Sequence, residues 1–210
     1  MKVILASNSP RRKEILSNLG IKFDVIVSKV DEDSNIKSPS GMVCELSRRK
    51  GLAVAASLPE KYRGEETVII SGDTVVALDD EIFGKPTDID DAKKMITALS
   101  GKTHSVFSGM SVIKVERDGI IKEFTDFERT FVTFREMSEE EIDIYLSMED
   151  LLDKAGAYAI QGAASLWIDN INGNYFNVVG MPTNKLISLL TKAGIQITRL
   201  ISSNKNSPKD

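Results

Sequence analysis

The stretch from Thr67 to Leu78 constrains the fold more than any other part of this 210-residue chain. It is a nearly continuous apolar run, which predicts a strand buried on both faces, as in sheets that helices cover on both sides. The run is interrupted at Ser71-Gly72-Asp73. A glycine next to a carboxylate inside such a strand indicates a close backbone approach and an ionisable group that faces a cleft.

Strand and helix signals alternate along the rest of the chain. The predicted strands are Val3–Ala6, Phe23–Val27, Thr67–Leu78, His104–Val115, Ile120–Phe134 and Leu166–Ile171. The predicted helices are Pro10–Leu19, Pro39–Leu58, Asp88–Leu99, Thr183–Ala193 and one that opens with a capping box at Ser138 and Glu141 and ends near Met148. We therefore expect an α/β fold with a mixed, twisted sheet flanked by helices. One domain is expected over residues 1–201, followed by a polar tail at 202–210.

Composition narrows the class of protein. Apolar residues make up 41% and charged residues 28%, which is typical of a soluble globular chain. No apolar stretch reaches the roughly 18 residues of a membrane helix, and the first apolar run is too short for a signal peptide. We therefore expect a cytoplasmic protein. The single cysteine, Cys44, excludes an internal disulfide.

Charge is unevenly distributed along the chain. The formal net charge is −4, but residues 1–50 carry ten Lys/Arg against six Asp/Glu, a local excess of +4. This excess points to a local site for a small anion. The negative total argues against binding to nucleic acid or to a membrane surface.

A candidate anion site lies at residues 7–12, which read Ser7-Asn8-Ser9-Pro10-Arg11-Arg12. Here a predicted strand ends and a predicted helix begins, with Ser9 as N-cap and Pro10 in the first turn. A helix start presents free backbone N–H groups, hydroxyl groups add donors, and arginine offers phosphate a planar fork. The alternative is that Ser9 only caps the helix and that both arginines are solvated.

Two charged residues stand in apolar surroundings. Lys50 falls in a helical stripe with Val43, Leu46 and Val54, so its ammonium group must be paired, reach the surface or line a cleft. Asp73 interrupts the predicted buried strand, where a carboxylate suits a general base or a ligand for a hard cation. A structural Asp73 that caps a neighbouring turn is the alternative.

Other candidates carry less information by themselves. Lys85 lies in a Gly-Lys-Pro turn, and Glu32 lies in an acidic loop that is either solvated or binds Mg²⁺. The sole histidine, His104, is predicted to be structural, because it has no cysteine partners for zinc and no nucleophile elbow accompanies it. The sequence Gly101-Lys102-Thr103 is not a P-loop, because Ile96 stands where that motif requires glycine.

These motifs, in this order, resemble the Maf family of nucleoside triphosphate pyrophosphatases, which is related in fold to the inosine triphosphate pyrophosphatases. The resemblance covers about residues 1–195. The segments that carry it are Leu5–Arg12, Lys50 after Leu46, Ser71–Val76, Gly84–Pro86, Leu99–Gly101 with His104, and Asp153–Gly162. Gly51 and Met181 depart from the family's usual Ala and Leu.

The resemblance implies a two-lobed fold with a central cleft, and hydrolysis of a nucleoside triphosphate to the monophosphate and pyrophosphate. It implies a divalent cation, Mg or Mn, and it makes Asp73 the proton acceptor that activates water. Glu32 matches an acidic position that helps to bind the metal together with Asp73. The side chains implied to hold the triphosphate are Ser7, Arg11, Arg12, Lys50 and Lys85. A homodimer is implied by the resemblance alone.

Base preference is implied by three further positions. Arg12, Thr74 and Gln161 resemble the branch that acts on dTTP and UTP, including modified pyrimidines. The amide of Gln161 can both donate and accept, which suits the imide edge of thymine or uracil. The rival hypothesis is a non-catalytic nucleotide-binding regulator of septum formation and cell division. The carboxylate inside the Thr67–Leu78 strand favours the enzyme, because a pure binder does not need it.

Overall fold

The computed structural model describes residues 1–148 and 150–201. These residues form one mixed sheet of seven strands and the helices that pack on it. The strands are β1 (Lys2–Leu5), β2 (Asp24–Val25), β3 (Thr67–Leu78), β4 (Glu81–Phe83), β5 (Thr103–Val115), β6 (Ile121–Phe134) and β7 (Ile168–Asn172). The α-helices are α1 (Pro10–Asn18), α2 (Pro39–Ala56), α3 (Ile89–Leu99), α4 (Glu139–Met148), α5 (Tyr175–Val179) and α6 (Thr183–Lys192). This architecture confirms the predicted α/β class. The expected tail at 202–210 lies outside the described residues.

β3 is the central strand, it has the predicted bounds, and it continues without a break through Ser71-Gly72-Asp73. β1 pairs with it in parallel over residues 67–70, and β5 pairs with it antiparallel over residues 67–77. Ser71, Gly72 and Asp73 all keep their partners on β5. The polar residues that interrupt the apolar run therefore do not interrupt the strand, because the complete ladder with β5 holds even the Gly-Asp pair in an extended conformation.

One edge of β3 is left open over residues 71–75 of the described chain. β5 pairs with one edge of β3, and β1 and β4 both pair with the other edge. On that shared edge, β1 pairs as far as Ile70 and β4 pairs from Val76 onwards. β1 and β3 are parallel, and the carboxyl end of β1 meets this gap. Ligands of α/β sheets bind at such strand ends, which makes the gap a natural place for a site.

Helices cover both faces of β3, as the apolar run predicts. α2 packs on the face that carries Ile69. The opposite face carries one cluster that joins Ile70 to α1 and α6, and a second that joins Val76 to α3 and α4. Among the described residues, every helix is too short or too polar to cross a bilayer.

Local signals explain where several elements begin. The Ser9 hydroxyl accepts a hydrogen bond from the backbone N–H of Arg12 and caps α1. Ser138 and Glu141 form the predicted capping box: the Ser138 N–H donates to Glu141 Oε2 at 2.9 Å, and the Glu141 N–H donates to Ser138 Oγ at 3.2 Å. Gly119, with φ of 87°, closes the predicted turn between β5 and β6.

Short elements account for most differences from the expected pattern. The second strand, expected over Phe23–Val27, is confined to the two residues of β2. β7 begins at Ile168, because Ala163–Leu166 form a 3-10 helix just before it. The three-residue β4 and the five-residue α5 were not predicted.

Candidate active site

A cavity of about 630 Å³ opens at the free edge of β3. Its walls come from the β1–α1 turn, the loop before α2, α2 itself, β3, the turn after β4 and parts of residues 153–160 and 178–180. The predicted site residues that line it are Ser7, Arg11, Arg12, Glu32, Lys50, Asp73, Thr74 and Lys85. Gln161, the remaining predicted site residue, is not among the lining residues; it is exposed and directly follows the lining residue Ile160.

An ion-paired lysine lies between two carboxylates in this cavity. Lys50 Nζ is 2.7 Å from Asp73 Oδ1 and 3.0 Å from Glu32 Oε1. The side chains of Lys50 and Asp73 are only 12% and 11% exposed, so Lys50 is paired inside the cleft and does not reach out to the surface. Partial burial disfavours the ionised form of Glu32, but the charges of Lys50, Lys85 and Arg12 outweigh this and lower the pKa of Glu32.

Two glycines allow α2 to bring Lys50 this close to the sheet. A Cβ atom on Gly109 of β5 would lie 2.2 Å from the backbone oxygen of Val43 in α2. A Cβ atom on Gly51, which follows Lys50, would lie 2.7 Å from Ile113 Cγ1. The glycine that departs from the family pattern therefore fits a tight helix–sheet contact beside the site.

Arg12 is fixed on the opposite face of β3. Its Nε donates to the backbone oxygen of Gly180 at 2.9 Å, Nη1 to Ser7 Oγ at 3.1 Å, and Nη2 to Thr74 Oγ1 at 3.1 Å. Burial lowers the pKa of Arg12, and the negative charge of Asp73 works against this shift. A guanidinium group carries five N–H donors, so two remain for a ligand.

Further donors surround the start of α1. Ser7 Oγ accepts from the Ser9 N–H and from Arg12, which leaves its own proton available to an anion. Arg11 Nη1 lies 3.9 Å from Asp153 Oδ2 across the cavity, and Lys85 projects from the exposed turn after β4. Together with the positive end of the helix dipole, these groups suit a polyanion such as a phosphate chain.

The carboxylates fit a divalent cation that binds together with phosphate. No group of three or more His, Cys, Asp or Glu side chains in the described part of the chain could hold a metal ion unaided. Glu32 and Asp73 already share one cationic partner, Lys50. Mg²⁺ is usually bound by one or two carboxylates and by the phosphate oxygens of a substrate, which matches this donor set.

His104 lies behind the cavity wall, in the structural position expected for it. It is 2% exposed, its Nε2 is 2.8 Å from the Tyr158 hydroxyl, and burial lowers its pKa to about 4. Tyr158, Asp153 and Gly180 do line the cavity, although none was given a role from sequence. The motif at 153–162 contains two of them, whereas no local pattern marks Gly180 as a partner of Arg12.

Comparison with known proteins finds relatives that match nearly the whole chain. The dTTP/UTP pyrophosphatase of Thermoanaerobacter sp. (strain X514) is 44% identical over 192 residues, which cover 91% of this chain and 96% of that protein. The dTTP/UTP pyrophosphatase of Bacillus cereus (strain G9842) is 43% identical over 198 residues, which cover 94% and 98%. A solved dITP/XTP pyrophosphatase from Mycobacterium abscessus is 13% identical over 65% of this chain and 76% of its own, and its TM-score of 0.37 is too low to support an inference. The family described as Maf-like protein matches residues 2–193, and the chain therefore belongs to the Maf family.

Proposed function

We propose that this protein is a nucleoside triphosphate pyrophosphatase that hydrolyses dTTP and UTP to the monophosphate and pyrophosphate. The observation that carries the proposal is the buried Lys50–Asp73 pair in a cavity that also presents Arg11, Arg12 and Lys85. The choice of nucleotide is supported by relatives named dTTP/UTP pyrophosphatase, which are 41% to 44% identical over more than nine tenths of the chain.

In the proposed reaction the triphosphate lies across the start of α1 and the basic side chains of the cavity. Asp73 accepts a proton from a water molecule, and the water oxygen attacks the α-phosphorus. The bond between the α-phosphorus and its bridging oxygen breaks, and pyrophosphate leaves with the electron pair. Lys50 orients the Asp73 carboxylate, while Arg11 and Lys85 stabilise the charge that moves onto pyrophosphate.

We propose that Glu32 and Asp73 hold a divalent cation, Mg²⁺ or Mn²⁺, that binds with the nucleotide. When bound, the cation supplies charge neutralisation and Lewis-acid activation at the phosphates. Glu32 is ionised at neutral pH, and its lowered pKa extends the ionised range further into acid, which suits this role.

The test is pyrophosphate release from dTTP, UTP, CTP, ATP and GTP with Mg²⁺ or Mn²⁺. Wild type should prefer dTTP and UTP. Asp73→Asn should lower kcat by about 100-fold or more, because the proton acceptor is lost. Binding of α,β-methylene-UTP, measured by calorimetry, should persist in this variant.

Asp80→Asn is a matched control, because it makes the same chemical change in the exposed turn after β3. It should keep the wild-type rate. Near-normal turnover by Asp73→Asn would contradict the mechanism. A wild-type protein that binds nucleotides but releases no pyrophosphate would support the non-catalytic regulator.

A further inference from the structure

The loop that carries Glu32 is held against α2 from outside the cavity. Residues 27–37 form neither helix nor strand. In the described chain, the hydrogen bonds and ion pairs that join this loop to other elements come from two consecutive residues of α2, Arg49 and Lys50. Lys50 pairs with the Glu32 carboxylate inside the cavity, whereas Arg49 is not among the lining residues. Arg49 therefore contacts the site only through the loop.

Arg49 bonds the main chain on both sides of Glu32. Its Nη1 donates to the backbone oxygen of Asp31 and to that of Asp33, each at 3.0 Å. This nitrogen carries two N–H bonds, so the two carbonyl groups use both. The Asp31 carboxylate accepts from the Asp33 N–H at 2.9 Å and closes a turn around Glu32. Arg49 thus fixes the position of this turn against α2.

Arg49 acts on the backbone of the loop and not on the charge of the carboxylate. Partial burial raises the pKa of Glu32, and the charges of basic groups that line the cavity, Lys50 first among them, outweigh this effect. Arg49 has its own partner in Glu45, one turn earlier on α2, with Nε 3.7 Å from Oε1. A glutamate four residues before a basic residue is the favourable order on a helix, so this pair helps to orient the guanidinium group.

We propose that Arg49 is a positioning residue: by holding the main chain on both sides of Glu32, it keeps that carboxylate where a divalent cation can bind it together with the nucleotide. This inference rests on the proposed function, in which Glu32 helps to hold the cation. An irregular loop that is not held samples many conformations, and ordering it on binding lowers affinity. Arg49 orders the loop beforehand, so it should raise the affinity for the cation without contacting it.

The experiment measures Mn²⁺ affinity in the presence of α,β-methylene-UTP, by electron paramagnetic resonance of the free ion. Arg49→Met keeps an apolar stem and a good helix former but removes every N–H donor. It should weaken Mn²⁺ binding about tenfold, as is common for residues that orient metal ligands. Hydrogen–deuterium exchange should become faster in residues 27–37. Calorimetric binding of the same analogue in EDTA should stay as in wild type, because the loop carries the cation ligand and not the phosphate donors.

Arg48→Met is a matched control. Arg48 is the neighbouring arginine of α2, but its Nε pairs with Glu123 of β6 at 2.9 Å. The side chains of Arg48 and Arg49 are 42% and 34% exposed, and both substitutions remove one positive charge. The control should leave Mn²⁺ affinity and exchange of the loop unchanged. Arg49→Lys should fall between wild type and Arg49→Met, because its shorter side chain can still donate to a carbonyl group.

A double mutant separates positioning from a general structural effect. Glu32→Gln should weaken Mn²⁺ binding, and Arg49→Met added to it should weaken the binding little further. Equal Mn²⁺ affinities in Arg49→Met and Arg48→Met would overturn the inference, and so would equal losses of Mn²⁺ binding and of analogue binding in EDTA.

The outcome for wild type distinguishes this inference from the proposed function. A wild-type protein whose Mn²⁺ affinity does not depend on Glu32 would overturn the inference, yet leave pyrophosphatase activity standing. A wild-type protein that binds Mn²⁺ with the analogue as expected, but releases no pyrophosphate from any triphosphate, would overturn the proposed function and leave the role of Arg49 in cation binding intact.

Discussion

His104 shows how burial alone sets the behaviour of one ionisable residue. Its pKa is lowered from 6.5 to about 4, so the unfolded chain binds this proton more tightly than the folded protein does. Its stabilising contribution is complete above about pH 6.5 and is lost as the pH falls towards 4. The loss should reach about 3 kcal/mol of unfolding free energy.

Urea unfolding between pH 7.5 and pH 4 measures this loss. His104→Phe has no proton to bind at this position, so its unfolding free energy should fall less steeply over the same range, although the variant also loses the bond to Tyr158. If the unfolding free energy falls equally steeply with pH in the two proteins, the loss of stability in acid comes from groups other than His104.

Site residues that break a strong hydrophobic pattern could be recognised from the sequence. Residues that are compatible with the pattern around them could not. Lys50 interrupts an apolar helix stripe and Asp73 an apolar strand, and the structure brings the two together. Arg49 disturbs no pattern, because an arginine is common on the partly exposed face of a helix. Gly180 meets Arg12 only through the tertiary fold, so no local signal could reveal the contact.

At the scale of elements, the contact between α2 and β5 is the most sensitive to substitution. Gly109→Ala would place a Cβ atom 2.2 Å from the Val43 backbone oxygen, and backbone cannot rotate away as a side chain can. We expect a loss of about 3 kcal/mol of unfolding free energy from overpacking. We also expect a lower kcat, because α2 carries Lys50.

Thermal unfolding and pyrophosphate release measure these two effects. Gly64→Ala is the control, because Gly64 has φ of 72° but open space around it. It should cost only about 1 kcal/mol of backbone strain and leave kcat unchanged. A Gly109→Ala variant as stable and active as Gly64→Ala would show that α2 is not tightly constrained.

Long elements with clear periodicity were predicted close to their observed bounds, and short ones were not. The β5–β6 hairpin and α2 carry enough pattern to be recognised. β4 has three residues and forms because β3 offers it an edge. α5 has five residues, far fewer than an isolated helix needs, so its existence depends on packing that no local sequence encodes.

At the scale of the whole molecule, the cavity is lined by residues from both faces of β3, among them Lys50 of α2 and Arg12 of α1. A nucleotide bound there should stabilise the folded state by mass action. α,β-Methylene-UTP at about 100 times its dissociation constant should add about 2.7 kcal/mol and raise Tm by roughly 5–10 °C. Lys50→Met keeps the apolar stem without the charge and should reduce the shift. An undiminished shift would remove Lys50 from the binding site.

The α/β class followed from the alternation of strand and helix signals, but the order of the strands did not. The site depends on that order, because β1 and β4 share one edge of β3 and leave residues 71–75 open between them. Strand pairing between distant segments is decided by packing of the whole chain. The location of this open edge could therefore not be predicted from local sequence patterns.

The alternation of side chains along β3 separates two tasks that adjoin in sequence. Asp73 faces α2, while Thr74 faces α1 and Ser108. One peptide unit thus joins a carboxylate that bonds Lys50 of α2 to a hydroxyl that bonds Arg12 of α1. We therefore expect substitutions on the Thr74 side of β3 to leave the Lys50–Asp73 pair in place, whereas a one-residue slip of β3 would exchange the two faces and break both sets of contacts.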